Sequence, residues 1–177
     1  FMTQENISKL PYAAVSAKIG DGPEAMLILG RMEGENHHYF AQDKAIIILK
    51  KGRIIRSYGL PANLWYTGFE TQDLFAQGLQ HLKGPTEERR IIDLNRDGLQ
   101  QINLCATFTP EGMECLNIYG RDYPLLRIRE CVAVPQLKWH YQNIHWVLPQ
   151  NGLVMKSIQH IHPDLSPIEI TVLRPAG

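Results

Sequence analysis

The seven histidines are the residues whose types and spacing come nearest to a metal site. They include an adjacent pair, His37-His38, and an alternating pair, His160 and His162. Because side chains two residues apart on a strand share a face, the alternating pair has suitable geometry for two imidazole ligands. No HExxH motif and no carboxylate at ligand spacing accompanies either pair. The histidines are therefore interpreted as exposed or edge-strand residues, and no metal site is predicted.

Motifs for covalent or phosphate chemistry are absent from the sequence. No G-x-S-x-G occurs, and Ser57 and Ser157 lie in strand patterns beside basic residues, without a histidine at fixed spacing. The glycines form neither a P-loop nor a dinucleotide fingerprint, so no cofactor is predicted. A pair of carboxylates for glycoside hydrolysis leaves no local trace, and a hydrolase therefore stays open as an alternative.

Aromatic and basic residues near two strand patterns suggest a binding surface. Trp and Tyr beside Arg can stack on sugar rings or lipid-like ligands. The same aromatic side chains also fill barrel cores, and long basic side chains can simply extend from a sheet face into water. The candidate binding residues are Arg53, Arg56, Trp65, Tyr66, Trp139, Trp146 and Lys156. We expect the three basic residues, with Trp65 or Trp139, to line one surface that meets an acidic polysaccharide or a partner.

The elements that must position these residues are β-hairpins. The apolar residues 46–49 run into Lys50-Lys51-Gly52, and residues 53–58 run out again. Gly supplies the positive φ that a tight hairpin turn needs. Arg53 and Arg56 interrupt the outgoing arm, which is typical of a strand over a concave or partly wet surface rather than one buried on both faces.

The same hairpin pattern occurs twice in the sequence. The matching segments are 52–57 with 152–157, and 22–31 with 112–121. They keep the same order along the chain, which is typical of a duplicated run of hairpins, with repeats at roughly 12–60 and 102–160. We expect Gly52 and Gly152 to occupy equivalent turns. Unrelated hairpins that share turn chemistry would also look alike, and this alternative stays open.

Turn signals recur about every eight to twelve residues, and this spacing predicts an all-β fold. The expected strands are 12–19, 24–31, 37–41, 46–49, 53–58, 88–95, 101–109, 113–120, 125–134, 153–162 and 168–173. Further turns are expected at Asp97-Gly98 and at Pro110-Glu111-Gly112. We predict an antiparallel β-barrel or strongly curved sheet built from two duplicated meanders, as a single β domain over residues 1–177, with one or two short helices.

One helix is predicted between the two meanders. Thr71 can cap it, Asp73 lies in the first turn where the helix dipole favours negative charge, and Gly84-Pro85 ends it. Its apolar face would consist of Phe75, Leu79 and Leu82. We expect this helix to plug or bridge one end of the β structure.

The bulk composition narrows the classes of protein. Eighteen basic and eighteen acidic residues leave no net charge, so a nucleic-acid partner is not expected. The sequence has no apolar run of about 18 residues, so no membrane-spanning helix is predicted. A hydrophobic content of 44% in 177 residues is enough for one domain with a core. The first six residues resemble neither a signal peptide nor a globular start, and we expect any targeting segment to have been removed or never present.

The three cysteines are an odd number without the spacing of metal ligands, so a thiolate zinc site is not expected. Cys105, Cys115 and Cys131 each lie in an apolar strand pattern, which is typical of small buried hydrophobic residues. In an oxidising compartment one pair could form a disulfide and leave the third cysteine over.

Four segments carry a resemblance to a known family. They are GRIIRSYGL at 52–60, IREC at 128–131, Trp146, and GLVMKSIQHIHP at 152–163. With them the chain resembles, from residue 12 to residue 175, the YjbF/GfcB family of group 4 capsule or exopolysaccharide-associated lipoproteins. These motifs are structural in character, so they identify a family rather than an activity.

The resemblance implies a secreted lipoprotein, anchored to the outer membrane by an acylated Cys at its mature N-terminus and encoded beside polysaccharide export machinery. No catalytic activity is implied. The sequence has no N-terminal Cys, so the anchor is expected to lie outside it. The implied partners are polysaccharide or other capsule-export proteins, with membrane contact only through the anchor.

The leading hypothesis is a non-enzymatic accessory factor in capsule or exopolysaccharide assembly or export, at the periplasmic face of the outer membrane. One alternative is a lipid or acyl-chain carrier with a half-open β-barrel. Another is a polysaccharide-modifying hydrolase with dispersed carboxylates. A wide apolar pocket would favour the carrier, a shallow aromatic groove the sugar binder, and two facing carboxylates the hydrolase.

Overall fold

A computed structural model of the chain describes residues 2–95 and 98–177. Within this part, twelve strands form one antiparallel sheet that curls into a nearly closed barrel. The strands are β1 Ala14–Ile19, β2 Glu24–Glu33, β3 Asn36–Phe40, β4 Ile46–Lys50, β5 Arg53–Tyr58, β6 Leu64–Phe69, β7 Thr86–Leu94, β8 Ile102–Ile118, β9 Arg121–Val134, β10 Trp139–Val147, β11 Val154–Gln159 and β12 Ile168–Arg174. The predicted all-β fold with an antiparallel barrel is confirmed.

Strands that are neighbours in sequence pair throughout the sheet, with one exception. The order β5-β4-β3-β2-β1-β12-β11-β10-β9-β8-β7-β6 joins the first strand to the last and leaves β5 and β6 as edges. Side chains hold this seam between the edges together. The N–H of Leu64 donates to the Ser57 hydroxyl at 3.2 Å, and the Thr67 hydroxyl donates to the carbonyl of Ile55 at 2.9 Å.

The beginning of edge strand β5 obtains hydrogen bonds from across the barrel. Gln159 of β11 accepts from the N–H of Ile54 at 2.9 Å and donates to the carbonyl of Gly52 at 2.8 Å. A Cβ atom on Gly52 would lie 2.8 Å from the side chain of Val154, so glycine is needed for this approach. The barrel is therefore flattened where β5 meets β11, and one amide side chain replaces a missing strand partner.

Alternation along the strands decides which side chains fill the barrel. In β9, Ile128, Val132 and Val134 are buried at alternate positions, and Glu130 is buried in the same phase. Similar inward rows from the other strands form one large apolar cluster inside the barrel. The inward face is thus mainly apolar, with a small number of buried polar and charged residues.

The predicted reversal at 110–112 is wrong, because β8 continues through these residues as a bulge in its ladder with β9. Gly112 adopts a φ of +87°, and the carboxylate of Glu111 lies 3.5 Å from Arg127 and 3.5 Å from Arg129 on β9. These cross-strand ion pairs hold the two strands together where local turn chemistry would part them.

The extended β8–β9 hairpin folds over the outer face of the barrel. Ile118 and Leu125 from this arm pack against Trp146 of β10 and Met155 of β11 in a second apolar cluster. At the tip of the arm, the hydroxyl of Tyr119 forms a hydrogen bond to a glutamate of β2. The arm therefore covers apolar side chains that the barrel would otherwise expose.

The helix between the meanders is shorter than predicted and has a different cap. Helix α1 is Gln4–Ser8 and helix α2 is Leu74–Gln77, which a 3₁₀ turn at Leu79–His81 follows. Asp73, not Thr71, caps α2 by accepting from its first N–H groups. Neither described helix is long and apolar enough to cross a membrane.

Two further points of comparison with the sequence prediction concern strand β6 and the turn at 97–98. β6 was not among the predicted strands, since a short edge strand with Gly68 in it has a weak strand pattern. The predicted turn at Asp97-Gly98 includes Asp97, which lies outside the described residues.

The two glycines of the proposed repeat both lie at turns of antiparallel hairpins. Gly52 joins β4 to β5 with a φ of +94°, and Gly152 lies between β10 and β11 with a φ of +79°. The turns differ in length, because Lys51 and Gly52 alone form the first and residues 148–153 form the second. Duplication of the meander therefore stays a prediction.

Replacing Gln159 by Leu is expected to destabilise the barrel, because it leaves the N–H of Ile54 and the carbonyl of Gly52 without their partner. Each buried polar group left unpaired costs about 1–3 kcal/mol. Urea denaturation of the purified chain measures the change. The matched Gln142→Leu variant, at an exposed position of β10, is expected to stay within about 0.5 kcal/mol of the parent. Equal stability of the two variants would contradict this role of Gln159.

Candidate binding site

A network of buried charged side chains lies in the middle of the barrel. Glu88 and Arg90 of β7 and Glu130 of β9 occupy the inward phase of their strands and are buried. The guanidinium of Arg90 lies 2.8 Å from a carboxylate oxygen of Glu130 and also contacts Glu88. Buried charges are tolerated only where opposite charges and hydrogen bonds compensate the loss of water. These three residues therefore have to be considered as one unit.

Arg53 connects this unit to the edge strand and to α2. Its Nη2 atom lies 2.7 Å from Glu88 and 3.1 Å from Asp73, the residue that caps α2. Its guanidinium carbon lies 4.2 Å from the ring centre of Phe75 and 5.9 Å from that of Phe108. Cation–π attraction and the two carboxylates together compensate the buried charge. Arg53 thus ties the beginning of β5 to the helix.

His145 of β10 is fully buried on the other side of Glu130. Its Nε2 atom lies 2.9 Å from Glu130, and since an ionised carboxylate only accepts, the imidazole donates. Burial lowers the pKa of His145, and the hydrogen bond to Glu130, which acts in the opposite direction, does not overcome this effect. Asn143 donates a further hydrogen bond to Glu130 at 3.2 Å. The histidine is therefore held neutral at pH 7.

The carboxyl groups of Glu130 and Asp73 are held ionised. Burial by itself would raise the pKa of Glu130, but the charge of Arg90 and the hydrogen bond from His145 keep this pKa well below its usual range. In Asp73 the attraction of Arg53 likewise outweighs burial and lowers the pKa. Glu130 therefore cannot deliver a proton at neutral pH, as a general acid must.

An open cavity of about 640 Å³ lies at the end of the barrel beside α2, within the size range of small-molecule sites. We call it the end cavity. The turns β2–β3, β4–β5 and β10–β11 and the α2 segment all contribute to its lining. Its deep part is apolar and includes Val15, Tyr39, Leu49, Phe75 and Ile170. Its rim is polar and includes Glu35, His37, Lys51, Gln77, Gln80 and Asn151.

Phe75 separates the end cavity from the charged network. Its side chain lines the cavity and packs against the guanidinium of Arg53. Its ring centre lies 4.9 Å from that of His145, in an edge-to-face arrangement. The buried network therefore fixes the position of one wall of the end cavity.

The rim of the end cavity combines an ion pair with an amide whose oxygen is buried and unpaired within the described residues. Glu35 and Lys51 form an ion pair at 3.5 Å between the β2–β3 and β4–β5 turns. The amide of Gln80 packs so closely on Gly152 that a Cβ atom there would lie 2.4 Å from its oxygen. This oxygen has no hydrogen-bond partner in the part of the chain that the structure describes. Such unpaired groups are rare in folded proteins.

The basic residues proposed to share one surface are not brought together. Arg53 is buried inside the barrel, whereas Lys156 pairs with Trp146 across the strands on the outer face and lies 3.3 Å from Glu169. The two residues lie on opposite faces of the sheet, contrary to the prediction, because strand side chains alternate between faces and each sits in a different phase. Any role of either residue in binding stays a prediction.

Arg56, Trp65 and Tyr66 lie on the two edge strands that meet at the seam. Trp65 and Tyr66 of β6 are 48% and 43% exposed, and Arg56 of β5 is half-buried. These three of the seven candidate residues are therefore neighbours on the outside of the barrel. Their role in binding stays a prediction.

The other two tryptophans pack in apolar clusters, the alternative that the sequence left open. Trp146 lies under the β8–β9 arm, where its ring N–H donates to Glu114 at 2.9 Å. Trp139 packs against the main cluster, with its ring centre 4.3 Å from that of Tyr141.

The predicted arrangement of the alternating histidines is wrong, because β11 ends at Gln159 and both His160 and His162 lie beyond it. His37 lines the end cavity, and His38 lies 3.5 Å from Glu33. Among residues 2–95 and 98–177, no group of three or more His, Cys, Asp or Glu side chains could hold a metal ion. All three cysteines are free thiols.

Sequence reasoning missed most of the buried network and the whole rim of the end cavity. The network has a usable signal, since Glu88 and Arg90 share the phase of Ile92 and Leu94 in β7. Charged residues in the inward phase of an otherwise apolar row indicate buried ion pairs. The rim has no comparable signal, because its residues come from separate turns.

A family model matches nearly the whole chain, over residues 1–173, and is described as group 4 capsule polysaccharide lipoprotein gfcB, YjbF. This chain belongs to the YjbF family. The family predicted from the sequence is thereby confirmed. Membership links the chain to capsule polysaccharide and, through the lipoprotein character of the family, to the cell envelope.

Similar proteins agree with this assignment. The uncharacterized lipoprotein GfcB of Escherichia coli strain K12 is 28% identical over 175 residues, which cover 99% of this chain and 82% of that protein. The uncharacterized lipoprotein YjbF of the same strain is 21% identical over 175 residues, with 99% and 81% covered. The crystal structure of the hypothetical lipoprotein YmcC from Escherichia coli K12 matches with a TM-score of 0.88 at 28% identity, covering 99% of this chain and 90% of that one.

Replacing Glu130 by Gln is expected to destabilise the YjbF-family barrel strongly. The change removes one anion and leaves the buried guanidinium of Arg90 undercompensated, which costs about 3–5 kcal/mol. Chemical denaturation measures the free energy of unfolding. Glu5→Gln, which breaks the exposed 3.2 Å pair with Lys9, is the matched control and is expected to cost less than about 1 kcal/mol. A Glu130→Gln variant as stable as Glu5→Gln would refute the importance of the network.

His145 is expected to make the barrel less stable in mild acid. The pKa of His145 is lowered in the folded state. Below the unfolded value of about 6.5 the unfolded chain therefore binds the proton first, and the free energy of unfolding decreases as the pH falls. His145→Gln is expected to flatten the loss of unfolding free energy between about pH 6.5 and pH 5. His160, whose pKa burial also lowers, keeps some of the slope.

Exposed His140 on the same strand provides the control for this measurement. His140→Gln is expected to leave the pH profile unchanged. Parallel profiles for the parent chain and His145→Gln would contradict the buried neutral imidazole.

Proposed function

We propose that this chain is a non-enzymatic accessory protein in capsule or exopolysaccharide assembly or export, held at the periplasmic face of the outer membrane. The observation that carries the proposal is the match of residues 1–173 to a family of group 4 capsule polysaccharide lipoproteins. An N-terminal lipid anchor in the full-length form would hold the barrel beside the membrane that the polysaccharide has to cross.

The buried network supports a structural use of its carboxylates over a hydrolytic one. A glycosidase needs one carboxyl group with a raised pKa that protonates the leaving oxygen. Glu88 and Glu130 do face each other, but Arg90 lies between them and contacts both. The pKa of Glu130 is lowered rather than raised. Facing carboxylates in this arrangement favour a rigid scaffold.

The interior also supports binding at the end of the barrel over transport of an acyl chain. A carrier needs a continuous apolar tunnel, whereas Phe75 and the network behind it fill the barrel beyond the end cavity. A further void among Arg53, Arg90 and Glu130 measures only about 30 Å³, and its lining includes these charged residues and several polar ones. This space suits a water molecule rather than a hydrocarbon chain.

The exposed residues at the seam complete the proposal. Trp65 and Tyr66 offer apolar faces for stacking, and Arg56 on the neighbouring strand offers a positive charge. We assign to them the contact with an acidic polysaccharide or with a protein of the export machinery. Edge strands suit such contacts, because their outer side is not covered by another strand.

Deletion of the gene is expected to lower the amount of polysaccharide at the cell surface, and a plasmid copy is expected to restore it. The purified chain is expected to release neither reducing ends nor acyl groups from that polysaccharide, because the lowered pKa of Glu130 makes this buried carboxyl unsuitable as a general acid. Surface polysaccharide is measured by uronic acid and hexose assays on washed cells, and turnover by reducing-end and acyl-release assays.

Two results would contradict this proposal. Unchanged surface polysaccharide in the deletion strain would remove the capsule role. Turnover by the parent chain that disappears in Glu130→Gln, with the fold intact by circular dichroism, would replace the accessory role with the hydrolase.

A further inference from the structure

We infer that the end cavity binds an uncharged sugar segment, a few neutral residues of a polysaccharide chain. The polymer class rests on the proposed function, whereas the preference for a neutral segment rests on the lining of the cavity. The volume of about 640 Å³ is large enough for a short oligosaccharide and too small for a folded partner. The cavity is open at the barrel end, so a chain end or a bent segment can enter it.

The charges of the rim are balanced among themselves. Lys51 is the one Lys or Arg in the described lining, and it forms an ion pair with Glu35. An acidic sugar in the cavity would therefore meet no unpaired Lys or Arg of the described lining, and the carboxylate of Glu35 would repel it. A neutral ligand meets no such repulsion, so the rim selects against the acidic ligand that the basic residues of the sequence suggested.

The polar groups of the rim suit hydroxyl groups. Gln77, Gln80 and Asn151 contribute amides, a group that can both donate and accept. The NH₂ group of Gln77 already donates one hydrogen bond to Gln72, which leaves its oxygen and its second N–H for a ligand. The oxygen of Gln80 is buried against Gly152 and has no partner among the described residues, so this oxygen loses no hydrogen bond if the amide turns towards a ligand. The oxygen of Asn151 already accepts from the N–H of Leu153 at 2.9 Å, so its NH₂ group is the part that can serve a ligand. A sugar hydroxyl also donates and accepts, and it complements such amides.

The deep part of the cavity suits the apolar face of a sugar ring. Tyr39 and Phe75 are buried aromatic residues of the lining, beside Val15 and Leu49. Phe75 cannot turn away freely, because Arg53 lies 4.2 Å from its ring centre on the other side. A wall fixed in advance lowers the entropy cost of binding. An amide rim over an apolar floor fits a carbohydrate better than an acyl chain, which would leave the amides unused.

The test is direct binding of defined probes to the purified chain, followed by calorimetry and by ¹H–¹⁵N NMR shifts. The neutral probes are maltotriose, cellotriose and triacetylchitotriose. Trigalacturonate serves as the acidic probe and laurate as the acyl probe. We expect at least one neutral trisaccharide to bind, with shifts at Glu35, Gln80 and Asn151, and to bind at least about tenfold more tightly than trigalacturonate or laurate.

Two variants and one control locate the site. Gln77→Trp, at an exposed position on the rim, is expected to fill the mouth and weaken binding at least about tenfold. Gln80→Leu keeps a side chain of similar size against Gly152 but removes the amide that a ligand would use, and a similar loss is expected. Gln142→Trp makes the same change as the first variant on the outer face and is expected to bind like the parent.

The inference is overturned if no neutral trisaccharide binds at millimolar concentration, if trigalacturonate or laurate binds more tightly, or if Gln77→Trp and Gln80→Leu bind like the parent. Failure of this inference about the end cavity can be distinguished from failure of the proposed function. If the parent binds no neutral trisaccharide and a Gln77→Trp gene restores surface polysaccharide fully, the cavity is not the site but the capsule role stands. If deletion leaves surface polysaccharide unchanged, the proposed function fails, regardless of whether the purified chain binds a neutral trisaccharide.

Discussion

The ion pair between Arg53 and Glu88 is the interaction on which the shape of the barrel depends. Arg53 begins edge strand β5, and Glu88 lies on β7, so their 2.7 Å contact passes over β6 and spans the seam. The main-chain ladder that closes an ordinary barrel is missing at this point, and attraction between buried opposite charges takes its place. Arg90 and Glu130 extend the pairing to β9, so edge strand β5 is tied to two strands beyond the seam.

The same charges explain why the end cavity has a defined wall. Asp73 caps α2 and pairs with Arg53, which places Phe75 between the cavity and the network. Apolar side chains of similar volume could fill the barrel with equal or greater stability, since buried ion pairs often contribute little net energy. They would not specify which edge meets which helix end. The charged interior thus contributes geometry, and the candidate binding site uses that geometry.

The sequence predicts most hairpins, because turn residues and alternation act over a few positions. It does not decide between Thr71 and Asp73 as the helix cap, since both are good caps and Arg53, eighteen or more residues away, settles the choice. It also places a reversal near Glu111, which cross-strand arginines convert into a bulge. Whether Arg53 points inward depends on Glu88, far along the chain. The end cavity has no sequence signal at all, because six separate segments contribute its lining.

Pairing of the first strand with the last has a consequence for how this chain folds. The meander β1–β5 joins the rest of the sheet through the β1–β12 ladder and through the side chains of the seam. Contacts between segments so distant in sequence form slowly. Until residues 168–174 have been synthesised, β1 presents an open edge beside the apolar Val15 and Ala17. Because an unpaired strand edge favours aggregation, completion of the β1–β12 ladder protects the folding chain as well as closing its sheet.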